Sequence, residues 1–416
     1  MNRRRVPSAL DYLFSLEQFG IKFGLENIST LLAQLGHPER AFRTLHVAGT
    51  NGKGSVTAMT DAVLRAAGHR SARYTSPHLV ALNERFVIDG RPVDDATLVS
   101  AIERVREAIG HLRERGALLV EPTFFEATTA IAFDLFRQAA VDAAVVEVGL
   151  GGRLDATNVL TPMAAAITSI GFDHEQYLGG TLREIALEKA GIIKTGVPVV
   201  LGALPDEARR AIEEVARAKS AEIVIADERT LSRYGDVPIA LRGAHQRNNA
   251  AVAAALIEIA NGRGLGVPPD AVRTGLTTVS WPGRLDLRRF DDGREALLDA
   301  AHNPDGAAAL AAYLAAQWPE KPPLVFAAMR DKDVRGMFAA LLPAVGALVV
   351  TRASNPRSAD PAALAQQARA AAPALPIAIE DDRAAALAAA WGRSQRIVIA
   401  GSIFLLGDVL NEFDGT

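Results

Sequence analysis

The stretch His46 to Met59, HVAGTNGKGSVTAM, decides the fold. Thr44 to Val47 is a short apolar run of strand type. Gly49 to Gly54 is rich in glycine, and from Ser55 to Ala67 apolar residues recur with helix period. Strand, glycine loop and helix in that order form the setting for phosphate binding. The glycines let backbone N–H groups turn towards an anion, the helix N-terminus adds its dipole, and Lys53 adds a point charge. The usual loop separates its first Gly from the Gly-Lys pair by four residues and places Ser or Thr directly after the Lys. Here Val47 holds the first position and Gly54 follows Lys53, so the loop is a shorter variant. The bland alternative is an ordinary glycine-rich turn between a strand and a helix.

The same alternation continues outward. Candidate strands are Thr44–Val47, Ser71–Tyr74, Ala143–Val148, Ala164–Ser169 and Val197–Leu201, with amphipathic stretches Val56–Ala67, Phe124–Ala139 and Thr181–Ile193 between them. Alternating strands and helices predict a mostly parallel sheet of phosphate-loop type with helices on both faces, and ligands beyond the carboxyl ends of its strands. After Trp281-Pro282-Gly283-Arg284 a second series begins. Strand candidates Ala296–Leu298, Leu324–Ala327, Ala347–Thr351 and Arg396–Ala400 are separated by helical runs such as Ala307–Gln317 and Pro361–Ala371. This predicts a smaller, Rossmann-like C-terminal α/β domain, with the division falling between 1–286 and 287–416.

A chain of 416 residues is too long for one ordinary core, and its 49% hydrophobic content is ample for two without covalent staples. The formal net charge of -3 gives no electrostatic case for nucleic acid or an anionic membrane as partner. Asp11, Glu17 and Lys22 interrupt any apolar region after Arg3-Arg4-Arg5, which argues against a signal peptide, and no uninterrupted apolar run is long enough to span a bilayer. Without cysteine there is no thiolate chemistry, and the expected home is the reducing cytoplasm.

Polar residues at the predicted strand ends carry the chemistry. Glu147 closes the apolar run Ala144-Val145-Val146, where a carboxylate is costly unless it is paired or binds a cation. Mg²⁺ is the natural partner beside a nucleotide; an ion pair with Arg153 or another arginine is the alternative. Asp173-His174 follows another strand, and Ser76 follows a third; their bland readings are a hydrogen-bonded loop histidine and a turn residue. Lys189 falls on the apolar stripe of its helix with Leu182, Ile185, Ile192 and Ile193, although a helical lysine is normally solvated. A buried lysine is readily neutral and reactive. In the second series, Asp299 to Gly306 reads equally well as a nucleotide-facing tip and as a helix cap with its turn.

Taken in order, these segments resemble the folylpolyglutamate synthase/dihydrofolate synthase family of the Mur ligase superfamily. The similarity lies in KFGLENI (Lys22–Ile28), GTNGKGS (Gly49–Ser55), TSPHL (Thr75–Leu79), EVGLGGRLDATN (Glu147–Asn158), DHEQYLG (Asp173–Gly179) and EKAGIIK (Glu188–Lys194). It continues in HQRNNA (His245–Ala250), WPGRLD (Trp281–Asp286) and DAAHNPDG (Asp299–Gly306), nearly the whole chain.

The resemblance implies a Mur-ligase-type ATP-binding domain, a C-terminal ligase domain and ATP-dependent amide ligation of L-glutamate to dihydropteroate or reduced folates through an acyl phosphate. It implies that Gly49, Thr50, Asn51, Gly52, Lys53, Gly54 and Ser55 hold the ATP phosphates, with Asn249, Arg284 and Asp299 also contacting the nucleotide. Ser76 and Glu147 would bind one Mg²⁺ and His174 a second. Lys189 would be carboxylated, and Phe124, Phe125, Leu154, Asp155 and Ala156 would hold the pterin substrate. Lys53, Glu147, His174 and Lys189 are therefore the expected catalytic set; His302 receives no role, and the expected state is a monomer.

Two competing readings are a peptidoglycan Mur ligase and a nucleotide-binding switch ATPase. Gly49 leaves 48 preceding residues (49 minus 1), too few for the N-terminal nucleotide-sugar domain of the former. The FFE and LDATN segments and the second α/β series speak against the latter.

Overall fold

The computed structural model describes residues 8–20, 22 and 24–414. The Arg3–Arg5 run and Phe23 of the KFGLENI segment lie outside the described residues. The chain forms two compact units. The first comprises Met1–Ile170, Leu182–Pro238 and Asn249–Thr278; the second comprises Gly171–Thr181, Ile239–Asn248 and Val279–Thr416. These units are not divided at residue 286. Hydrogen bonds from Ala300 N–H to the Gly283 carbonyl and from Leu285 N–H to Asp299 Oδ2, both 2.8 Å, tie the Trp-Pro-Gly-Arg segment into the second unit. A linear pattern cannot show such long-range ties.

The first unit holds an eight-stranded sheet. Its strands are β1 (Arg43–Ala48), β2 (Ser71–Tyr74), β3 (Phe86–Ile88), β4 (Arg91–Pro92), β5 (Ala143–Glu147), β6 (Ala164–Ile167), β7 (Val199–Leu201) and β8 (Ile223–Ile225), in the order β4-β3-β2-β5-β1-β6-β7-β8. All pairs are parallel except β2–β3 and β3–β4. β5 is buried along its whole length and β1 from Thr44 onward, as expected of parallel strands covered on both faces. β6 (AAAI) has weak strand propensity of its own; pairing with β1 on one side and β7 on the other holds it extended.

Two helices explain the placement of the site. The helix Lys53–Ala66 starts earlier than its apolar period suggests, so Lys53 is its first residue and Gly52 its cap. Val56, Met59 and Val63 on this helix are fully buried, and it packs against the helix Pro269–Thr278. The helix Phe124–Gln138 starts at a reciprocal cap: Glu126 N–H reaches Thr123 Oγ1 at 3.1 Å, and Glu126 Oε2 accepts the Thr123 N–H at 2.7 Å. That cap fixes Phe124 and Phe125 in the first turn. Farther along, Phe133 and Phe136 are wholly buried, each contributing about 1.5–3 kcal/mol over the exposed state. Tyr74 Oη lies 2.8 Å from Thr128 Oγ1 and joins β2 to this helix.

The second unit holds a six-stranded sheet of β9 (Asp286–Arg289), β10 (Glu295–Asp299), β11 (Pro323–Phe326), β12 (Ala347–Val350), β13 (Ile377–Ile379) and β14 (Arg396–Ala400). Its order is β13-β12-β11-β14-β10-β9, parallel except for β9–β10. The helix Pro304–Gln317 follows β10, with Asn303 as its cap accepting the Gly306 N–H at 2.9 Å. Among the described residues no helix is long and apolar enough to cross a membrane.

Candidate active site

In the first unit the glycine loop joins β1, the central strand of the parallel region, to the helix Lys53–Ala66. Gly49 and Gly52 both have positive φ, 150° and 85°. A side chain at Gly49 would collide with the Thr168 hydroxyl, and one at Gly52 with the Asn249 side-chain oxygen, so both positions require glycine. The loop is clamped to the end of β6. Thr50 N–H donates to the Ser169 carbonyl at 2.8 Å, Asn51 N–H donates to Ser169 Oγ at 2.8 Å, and Thr168 Oγ1 donates to the Asn51 carbonyl at 2.6 Å. Lys53 Nζ folds back over the loop, 3.0 Å from the Gly49 carbonyl and 3.2 Å from that of Thr50.

Lys189 comes to the same carbonyl. It is 4% exposed on the helix Leu182–Ala190, and its Nζ lies 3.0 Å from Gly49 O. Glu147 ends β5 at 5% exposure, and its Oε2 accepts the Ser76 N–H at 3.3 Å. Of the alternative arginine partners, Arg153 pairs with Glu188 at 2.8 Å. Among the described residues no three His, Asp or Glu side chains converge as a metal cage. The Glu147 carboxylate suits Mg²⁺, which usually takes one or two carboxylates and completes its shell with water and phosphate oxygens.

Beside this lies an aromatic wall. Phe124 stacks on Phe14 with centroids 5.9 Å apart, the Arg85 guanidinium lies 5.1 Å from the Phe124 centroid, and Phe125 packs 6.0 Å from Tyr74. Arg85 Nε also donates to His78 Nδ1 at 3.0 Å; burial and the Arg85 charge hold that imidazole down at about 4. Leu154 is half-buried, and Asp155 and Ala156 are buried. Burial raises the Asp155 carboxyl, while donors from Thr157 and Leu150 oppose the shift.

The second unit holds the remaining expected residues. His174 has φ 53° and precedes the short helix Glu175–Leu178. Beside it, Asp173 is met by Lys332 Nζ at 2.5 Å, the His174 N–H at 3.0 Å, Asn303 Nδ2 at 3.3 Å and His302 Nε2 at 3.4 Å. Lys332 Nζ also lies 3.4 Å from His174 Nε2. Burial alone would raise the Asp173 carboxyl, but His302, Lys332 and His174 together pull it well below the usual carboxylate range. The helix-cap reading of the Asp299–Gly306 segment holds at Asn303, whose side chain also reaches Asp173. Asp299 spends its oxygens on the N–H groups of Leu285 and Ala301, at 2.8 and 2.9 Å. Burial raises its carboxyl, opposed chiefly by Arg284.

Residues 283–403 match the family model described as Mur ligase, glutamate ligase domain. The dihydrofolate synthase/folylpolyglutamate synthase of Bacillus subtilis is 34% identical, with 94% of this chain and 95% of that protein aligned. The chain belongs to the dihydrofolate synthase/folylpolyglutamate synthase family. The folylpolyglutamate synthase of Mycobacterium tuberculosis, solved with ADP and AMPPCP, superposes with a TM-score of 0.89 at 34% identity over 98% of each chain. A bifunctional folylpolyglutamate synthase/dihydrofolate synthase with Mn, AMPPNP and L-glutamate bound superposes at 0.84, with 30% identity over 98% of each chain.

Within this family fold, sequence reasoning gave no role to Thr168 and Ser169, which hold the phosphate-type loop, missed Lys332, and named Asp173 only as the neighbour of His174. Thr-Ser directly after a strand was the available signal for the first pair. The Asp331-Lys332-Asp333 run gave no signal that separates it from a solvated turn.

Proposed function

We propose that this chain uses ATP to join L-glutamate to the carboxylate of a pterin-bearing acceptor, dihydropteroate, a reduced folate or both. The acceptor carboxylate attacks the γ-phosphorus, and ADP leaves. The glutamate amine then attacks the acyl phosphate carbonyl, loses a proton, and phosphate departs with the formation of the amide bond. The observation that carries this reading is the clamped loop, with Lys53 at the helix start and Lys189 on the same Gly49 carbonyl.

In this reading Gly49 to Ser55 hold the ATP phosphates, and Asn249, Arg284 and Asp299 contact the nucleotide. Phe124, Phe125, Leu154, Asp155 and Ala156 hold the acceptor. Ser76 and Glu147 hold one Mg²⁺ and His174 a second, and bound Mg²⁺ offsets charge as the phosphoryl group moves. Lys53 and Lys189 as ammonium groups would repel each other across one carbonyl. Uptake of CO₂ by a neutral Lys189 amine, with release of a proton, replaces that repulsion with attraction and gives an anion suited to a metal site. The test is phosphate release measured side by side with dihydropteroate and a reduced folate. Release that needs acceptor and glutamate together supports the proposal; release indifferent to glutamate favours a nucleotide switch.

A further inference from the structure

A buried hydrogen-bond chain runs from β1 into the turn after β5. His46 on β1 is 0% exposed, and its Nε2 lies 2.9 Å from Thr157 Oγ1. Thr157, equally buried, donates its hydroxyl proton to Asp155 Oδ1, and its N–H reaches the same oxygen at 3.0 Å. The other Asp155 oxygen accepts the Leu150 N–H at 2.9 Å. These partners are all donors, which suits an ionised carboxylate. A threonine hydroxyl has one proton. With that proton directed at Asp155, Thr157 Oγ1 accepts from His46, which fixes the Nε2–H tautomer.

His46 Nδ1 is then a bare acceptor, and among the described residues it is buried without a hydrogen-bond partner. A second proton there would be a buried donor with nothing to receive it. Burial, with the Lys194 charge adding, agrees with a neutral ring by holding it down at about 3. The ring therefore acts as a fixed donor. Its reach stops at Asp155, whose carboxylate spans the turn from Leu150 to Thr157.

We propose that His46 is a positioning residue for the acceptor: acting through Thr157, it fixes the Asp155 carboxylate and with it the Leu150–Ala156 turn. This rests on the reading of Leu154, Asp155 and Ala156 as acceptor-holding. The chain His46–Thr157–Asp155 leads to the Leu150 N–H, whereas Lys53 Nζ lies on the Gly49 and Thr50 carbonyls, so loss of the chain should fall on the acceptor and spare ATP.

Two measurements test it on the full-length protein. Nitrogen-15 NMR of the histidine rings, with His46 assigned from the His46→Gln spectrum, should show Nε2 protonated and Nδ1 bare. A proton on Nδ1, or on both nitrogens, overturns the proposal, because the chain would then run the other way or not at all. In steady-state kinetics Thr157→Val should raise the acceptor KM at least tenfold and leave the ATP KM within twofold, while His46→Gln, which retains an N–H donor, should stay within threefold of wild type. An unchanged acceptor KM for Thr157→Val, or an equal rise in both KM values, also overturns it. Asp155→Asn separates the two layers: an unaltered acceptor KM there refutes the acceptor-site reading itself. A raised one with a silent Thr157→Val refutes only the His46 relay.

Discussion

Replacing Gly52 with alanine tests whether the loop geometry is required in the form seen. Gly52 has φ 85° and ψ -12°, a left-handed conformation that costs a residue with a side chain about 1–2 kcal/mol. The new methyl would also meet the Asn249 amide, with Cγ at 3.2 Å and Nδ2 at 3.4 Å from it and the oxygen closer still. Asn249 is 9% exposed, so turning its amide away disturbs a buried polar group, at about 1 kcal/mol. Together these predict a loss of about 2–3 kcal/mol, which in a unit of this size lowers Tm by roughly 4–12 °C. The assay is thermal unfolding of Gly52→Ala, Asn249→Ala and the double variant, with the ATP KM of each. Because the clash lies between these two residues, the double variant should be more stable than additivity predicts, by about 1 kcal/mol. A Tm within 1 °C of wild type, or strictly additive losses, would refute the reasoning.

Glu147→Gln keeps the shape but removes the charge that a hard cation prefers, so the Mg²⁺ concentration for half-maximal rate should rise at least about tenfold; an unchanged value would exclude Glu147 as a ligand. Lys189→Ala should lose most activity and regain part of it with acetate. Wild-type turnover would remove Lys189 from the mechanism. His46, held at about 3 when folded against an ordinary 6.5, contributes stability that is fully present above pH 6.5 and is lost as pH falls towards 3. Denaturant titrations should therefore show wild-type stability falling faster than that of His46→Gln below pH 6.5, by up to roughly 1.4 kcal/mol per pH unit; parallel curves would contradict the buried neutral ring.

The legible parts of this fold were those with a local cause. The glycine loop, the apolar runs of β1 and β5 and the helical period of Phe124–Ala139 each announce themselves within a few residues. Lys189 was legible because periodicity alone placed a charged residue on an apolar face, and it is buried there. The short strands β3, β4, β8, β9 and β13 were not: β3, β8 and β13 are apolar over only three residues, and β4 and β9 are mostly polar, too little for a run of strand length. The contacts of Asp173 with His302 and Lys332 were equally hidden. They join residues 129 and 159 positions apart (302 minus 173; 332 minus 173), and no local pattern encodes such a meeting. The alternative reading of Glu147, an ion pair with the nearby Arg153, was plausible locally, but Arg153 pairs with Glu188.

The central claim is that the acceptor carboxylate is activated by transfer of the γ-phosphoryl group. Oxygen-18 in that carboxylate follows the bond that breaks. Incubating the enzyme with ATP, Mg²⁺, L-glutamate and doubly labelled dihydropteroate or reduced folate, then weighing the released phosphate by mass spectrometry, should give one oxygen-18 per phosphate and leave one in the new amide. Unlabelled phosphate from a reaction that still forms the amide would contradict the account.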